Sequence, residues 1–155
     1  MLPFICPHNR FLTLSTSRSL EKGGAPEIPI AANILNQICY NNKNNLMAGM
    51  ICAGWDEKNG GVVYSIPLGG GIFREAYTIG GSGSGFIYGY CDANFRKGMS
   101  KEEALQFVRN AVSLAMSRDG SSGGVIRTVT ISKDGVERAM VLGDQLPNLR
   151  SQWEP

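Results

Sequence analysis

The feature that most constrains this chain is an unbroken apolar run, Leu46 to Trp55, that ends abruptly at Asp56–Gly61 (DEKNGG). It falls well short of the about 18 residues that read as a membrane span. The run therefore predicts a strand buried on both faces. The polar, glycine-bearing turn leads directly into Val62–Pro67 (VVYSIP), a second strand, so the pair reads as a hairpin. A turn at Leu68–Gly71 and a third strand over Ile72–Ile79 would extend it into an antiparallel sheet.

Helices flank this sheet. Pro29 suits a first helical turn, and Ile30, Ile34, Leu35 and Ile38 form a stripe at helical spacing. That helix is expected to run to about Asn45, where an asparagine cluster weakens it. A glycine-serine loop, Gly80–Gly85, precedes an expected helix over Phe86–Phe95. Ser100 and Glu103 then fit a capping box, the serine hydroxyl taking one free amide and the glutamate returning to the other. The helix they open carries Leu105, Val108, Val112 and Ala115 on one face and ends near Arg118. Two strands close the pattern, Val125–Ile131 and Val136–Leu142, joined by the hairpin signal Asp134–Gly135. Strands grouped in hairpins, between helices, predict an α+β protein.

With 155 residues, 43% hydrophobic and 18% charged, the chain can bury the core of one globular domain. Its 15 basic and 13 acidic side chains leave a net charge of +2 and form no basic run. That excludes the electrostatic footprint of a nucleic-acid binder. No segment reads as a membrane span, so no membrane partner is expected. Cys6, Cys39, Cys52 and Cys91 are too unevenly spaced for a zinc pattern and read as reduced thiols of an intracellular protein. His8 is the single histidine, which removes histidine triads and histidine metal clusters by counting. No metal or organic cofactor is expected.

Residues 1–28 stand apart from the rest. They mix Pro3 and Pro7 with a Ser/Thr-rich run, hold no acid before Glu21 and show no sustained periodicity. Their arginines and hydroxyls only faintly suggest a targeting presequence, and a disordered, divergent segment is the expectation. The regular domain is assigned to residues 29–147, followed by a short tail, 148–155.

The glycine-rich loops offer candidate sites. Gly80–Gly85 follows a strand and opens a helix, as anion-binding loops do, but has neither the dinucleotide spacing nor a Walker lysine. Gly120–Gly124 (GSSGG) formally satisfies G-x-S-x-G, yet here the helix precedes the serine and the strand follows it. That is the reverse of a nucleophile elbow, which argues against a serine hydrolase. Asp119 is the odd acid. It sits at a helix C-terminus, where the dipole disfavours a negative charge, so it should have a specific partner. Chemistry alone favours a structural role for it.

Five segments read together resemble a proteasome beta subunit: Leu46-Met47-Ala48-Gly49, Ala53-Gly54-Trp55-Asp56, Ile79 to Ser84 (IGGSGS), Tyr88-Gly89-Tyr90 and Arg118 to Ile126 (RDGSSGGVI). Leu142 to Pro147 (LGDQLP) closes the likeness, which is to the delta, post-acidic-cleaving class or its interferon-inducible counterpart. The resemblance implies an N-terminal nucleophile hydrolase, a four-layer αββα sandwich, here without its N-terminal strands. It also implies a place in the 20S core beside other alpha and beta subunits, in cytoplasm and nucleus. The activity implied is threonine-type endopeptidase cleavage of unfolded, ubiquitin-marked proteins.

By the same resemblance Ser82, Asp119 and Ser122 are accessory catalytic residues around an N-terminal threonine. Gly81 and Gly83 would let the Ser82 loop approach that nucleophile. The family's leading Gly-Thr-Thr is missing, however, and no Gly-Thr dipeptide occurs anywhere in the sequence. The chain as written is therefore expected to be inactive by itself. The rival expectation is a non-catalytic structural or assembly subunit of the ring.

Overall fold

The computed structural model describes residues 2–4 and 27–146, which group into two compact units. Most of the divergent segment 1–28 and the whole tail 148–155, with Cys6 and His8, lie outside the described residues. The exception near the start is β1 (Leu2–Phe4), a short strand.

One unit contains residues 27–78, together with Ser132–Asp134. It opens with α1 (Ile28–Asn41), whose early proline fits the first turn, where an amide would lack a partner anyway. The helix stops at Asn41 rather than Asn45. The Asn42 side chain bonds the carbonyl of Ile38 at 2.8 Å and competes with continued helix. Strands β2 (Met50–Asp56) and β3 (Gly60–Ile66) form the expected antiparallel hairpin, in register from Met50 opposite Ile66 to Asp56 opposite Gly60. Short β4 (Phe73–Glu75) pairs on the other edge of β3. Helix α1 lies on β2 and β3. Leu35 and Cys39 meet Ile66 there, with Leu46, Met50, Cys52 and Ile72 packed around them.

Two strand expectations change in this unit. Leu46–Gly49 is not strand, because Pro67 follows Ile66 without an amide to donate and the ladder ends at Met50. Met47 is 86% exposed as a result. Strand β2 is half-buried along its length rather than buried on both faces, since it is an edge of its described sheet. The third strand keeps only Phe73–Glu75 before the chain bends at Ala76 and Tyr77.

The second unit contains residues 79–131 and 135–146 with β1. A 3-10 turn (Ser84–Phe86) leads into α2 (Tyr88–Asn94), so the single helix expected over 86–95 is broken at Ile87. Helix α3 (Lys101–Arg118) starts with the predicted capping box: Ser100 accepts from the Glu103 amide and the Glu103 carboxylate accepts from the Ser100 amide. The Tyr90 ring of α2 stacks on Phe107 of α3 with centroids 5.8 Å apart. Strands β5 (Val125–Ser132) and β6 (Gly135–Leu142) follow, and the sheet order is β1-β5-β6. Ile126, Thr128 and Thr130 alternate along the buried face of β5. Mixed helices and antiparallel sheets make this an α+β protein.

No helix among the described residues is long and apolar enough to cross a membrane. Cys39, Cys52 and Cys91 are free thiols.

Candidate functional site

Ser82, Asp119 and Ser122 converge within the second unit. Asp119 caps the C-terminus of α3: its amide bonds the carbonyl of Ala115 at 2.8 Å, and its backbone then turns to an extended conformation. That turn sends the carboxylate away from the helix axis. Oδ2 accepts the Ser82 hydroxyl at 2.7 Å and the Ser122 hydroxyl at 2.5 Å. Oδ1 accepts the Ser121 amide at 3.2 Å, an Asx turn written by Asp119-Gly120-Ser121. An ionised carboxylate only accepts, so both hydroxyls donate to it and keep their own oxygens as acceptors.

These bonds resolve the dipole problem raised by the sequence. The Ser122 hydroxyl, then the Ser82 hydroxyl and the Ser121 amide, stabilise the charged form and outweigh desolvation. The carboxyl of Asp119 is thus held below the ordinary carboxylate range. A carboxylate so stabilised is a poor general base, and it does not activate either serine as a nucleophile. The cluster orients hydroxyls; the oxygens of Ser82 and Ser122 can receive hydrogen bonds from a donor brought against them. Ser82 is exposed, whereas Ser122 and Asp119 are half-buried.

Two glycines shape the loop for different reasons. Gly81 has φ +103°, a conformation that favours glycine, with open space around it. Gly83 is buried against the cluster, and a Cβ there would lie 3.2 Å from both Asp119 Oδ2 and Ser122 Oγ. The expectation that both glycines serve approach to a nucleophile thus separates into a backbone requirement at Gly81 and a packing requirement at Gly83. The Ser121 amide was not foreseen, although the Asp-x-Ser sequence carries the signal for that turn.

Among the described residues no group of three or more histidine, cysteine, aspartate or glutamate side chains could hold a metal ion. None of the described threonines follows a glycine, so none stands in the context expected of the nucleophile.

A family model described as "Proteasome subunit" matches residues 12–131, beginning inside the segment read from sequence as divergent. Proteasome subunit beta type-6 from Dictyostelium discoideum is 51% identical over 144 residues, which cover 93% of this chain and 64% of that protein. A probable proteasome subunit beta type-1 from Schizosaccharomyces pombe is 59% identical over 119 residues, 77% of this chain and 53% of that protein. Proteasome subunit beta type-9 from Mus terricolor is 50% identical over 128 residues, 83% of this chain and 58% of its own length. The chain spans between 53% and 64% of the length of these relatives. On its motifs, its α+β fold and these matches, the chain belongs to the proteasome subunit family and is of the beta type.

Proposed function

We propose that this chain is a beta-ring subunit of the 20S proteasome core, in which Ser82, Asp119 and Ser122 form the accessory part of a threonine endopeptidase site. The observation that carries this reading is the sharing of Asp119 Oδ2 by the two serine hydroxyls. Its fold would be the four-layer αββα sandwich of N-terminal nucleophile hydrolases. In that frame an N-terminal threonine supplies the nucleophile and its amine handles the proton. Ser82 and Ser122, already donating to Asp119, offer their oxygens to that amine and fix where it sits. Asp119 supplies a fixed negative charge nearby. Substrates would be unfolded, ubiquitin-marked proteins, with cleavage after acidic residues in the delta or immune class. Partners are the other alpha and beta subunits, in cytoplasm and nucleus.

The rival is a structural or assembly subunit of the ring that does not cut. One experiment separates the two. Asp119→Asn is introduced into the gene for this chain, and core particles are purified from those cells. Incorporation is checked by mass spectrometry, and cleavage of a fluorogenic peptide with an acidic residue before the scissile bond is assayed. The endopeptidase reading expects normal incorporation with cleavage reduced on the order of 100-fold. Unchanged cleavage at full incorporation would favour the non-cutting subunit.

A further inference from the structure

We infer that Gly83 is a positioning residue of the Ser82–Asp119–Ser122 cluster: the empty space beside its Cα is what allows one carboxylate oxygen to hold both hydroxyls. The inference rests on the reading of that cluster as the accessory part of a catalytic site, and it adds a residue whose role there is steric.

Gly83 does not need to be glycine for its backbone. Its φ of −82° and ψ of −7° lie in the right-handed helical region open to every L-residue. Glycine at such a position ordinarily costs stability through its extra freedom in the unfolded chain, and alanine would normally be the better residue. What forbids a side chain is the surroundings. A Cβ at 83 would stand 3.1 Å from the Cβ of Ala115, 3.2 Å from Asp119 Oδ2 and 3.2 Å from Ser122 Oγ, all tighter than ordinary contact.

The three neighbours differ in how far they can move. Ala115 is buried in the last turn of α3, where the helix fixes its Cβ. Asp119 and Ser122 lie just beyond that helix, on loop backbone, so the displacement falls on them. Asp119 Oδ2 is the shared acceptor, at 2.7 Å from Ser82 Oγ and 2.5 Å from Ser122 Oγ. Moving it by a few tenths of an ångström lengthens or misdirects at least one of those bonds. Gly85, two residues on, is an internal control, because a Cβ there meets nothing within 4 Å and its φ is not positive.

The test uses the full chain labelled with carbon-13 at aspartate, in the parent and in Gly83→Ala, Gly85→Ala and Ser82→Ala. The Asp119 carboxyl signal is assigned by its loss in Asp119→Asn and followed through a pH titration. The groups that set its midpoint in the folded chain are the neutral donors of Ser122, Ser82 and Ser121. Gly83→Ala is expected to shift that midpoint upward, as Ser82→Ala does, while Gly85→Ala leaves it in place. An unchanged midpoint in Gly83→Ala would overturn the inference.

A second measurement covers a Gly83→Ala chain too unstable to titrate. Thermal midpoints are compared for Gly83→Ala, Ser122→Ala and the double variant. Overpacking should lower the Gly83→Ala midpoint by roughly 5 °C. Removing Ser122 Oγ opens part of the required space, so the double variant should lose less than the two single losses combined. Strictly additive losses would overturn the inference. Neither readout involves peptide cleavage, so failure of the endopeptidase reading would leave both results standing.

Discussion

The backbone amide of Ile28 donates to Oδ2 of Asp56 at 2.9 Å, so an acid at the end of β2 caps the first turn of α1. The residue at the helix's own N-cap position, Glu27, makes no side-chain cap. Asp56 also closes its own turn, its Oδ1 accepting the amide of Asn59 at 2.6 Å and the Asn59 side chain at 2.9 Å. One carboxylate thus ties a helix start to a hairpin tip.

Asp56→Ala should therefore cost more than an average surface substitution. Losing a cap is worth about 1 kcal/mol, or a drop of about 3 °C in thermal midpoint for a chain of this size. Asp56→Asn keeps a neutral acceptor and should lose less. Equal losses in the two variants would show that the charge, and not the acceptor, does the capping.

Acid should weaken the fold through the same residue and through Asp119. Burial pushes the Asp56 carboxyl up, but backbone bonds from Ile28, Asn59 and Lys58 and the Asn59 side chain outweigh it and hold it below 3.8. The Asp119 carboxyl is likewise held below 3.8 by its hydroxyl and amide donors. A carboxyl depressed in the folded state contributes stability that is fully present above its unfolded value. That contribution is lost as pH falls through the folded value. Denaturant midpoints measured downward from pH 5 should fall below about pH 4. The fall should be shallower in Asp56→Asn and in Asp119→Asn.

Cys52 and Cys91 should be inert in the folded chain. Burial raises Cys52 from 9.0 to about 11, and burial together with the charge of Asp92 raises Cys91. Only thiolate reacts, so Cys52 should alkylate roughly a hundredfold more slowly than an exposed thiol at pH 8. Iodoacetamide labelling read by peptide mass spectrometry checks this, with rapid labelling expected only after denaturation. Fast native labelling of Cys52 would contradict its placement against Leu35, Cys39 and Ile66.

The ion pair between Lys101 and Glu137 links the start of α3 to β6, but Glu137 is largely exposed. Such pairs contribute about 0.5 kcal/mol and are screened by salt. Glu137→Gln should shift the thermal midpoint by no more than about 2 °C, and high salt should erase the difference.

Local signals were legible in the sequence and reach-across contacts were not. Ser100 and Glu103 announce their capping box because both partners lie within one helical turn, and DEKNGG announces its hairpin for the same reason. The chain order of Ser82, Asp119 and Ser122 pointed to a shared site through resemblance, while chemistry alone leaned towards a structural Asp119. Its two hydroxyl partners include one that is 37 residues away, which no local pattern encodes. Gly83 shows the same limit, since its sequence neighbours suggest a flexible loop and only the packed neighbours Ala115, Asp119 and Ser122 define its role. Leu46–Gly49 misled because apolar character predicts burial, whereas strand pairing depends on a partner that ends at Pro67.

The most direct test of ring membership is native mass spectrometry of particles captured from cells through a tag at the C-terminus of this chain. A complete core particle containing the tagged chain is the predicted result. Recovery of the chain alone, with no other proteasome subunit attached, would contradict the account.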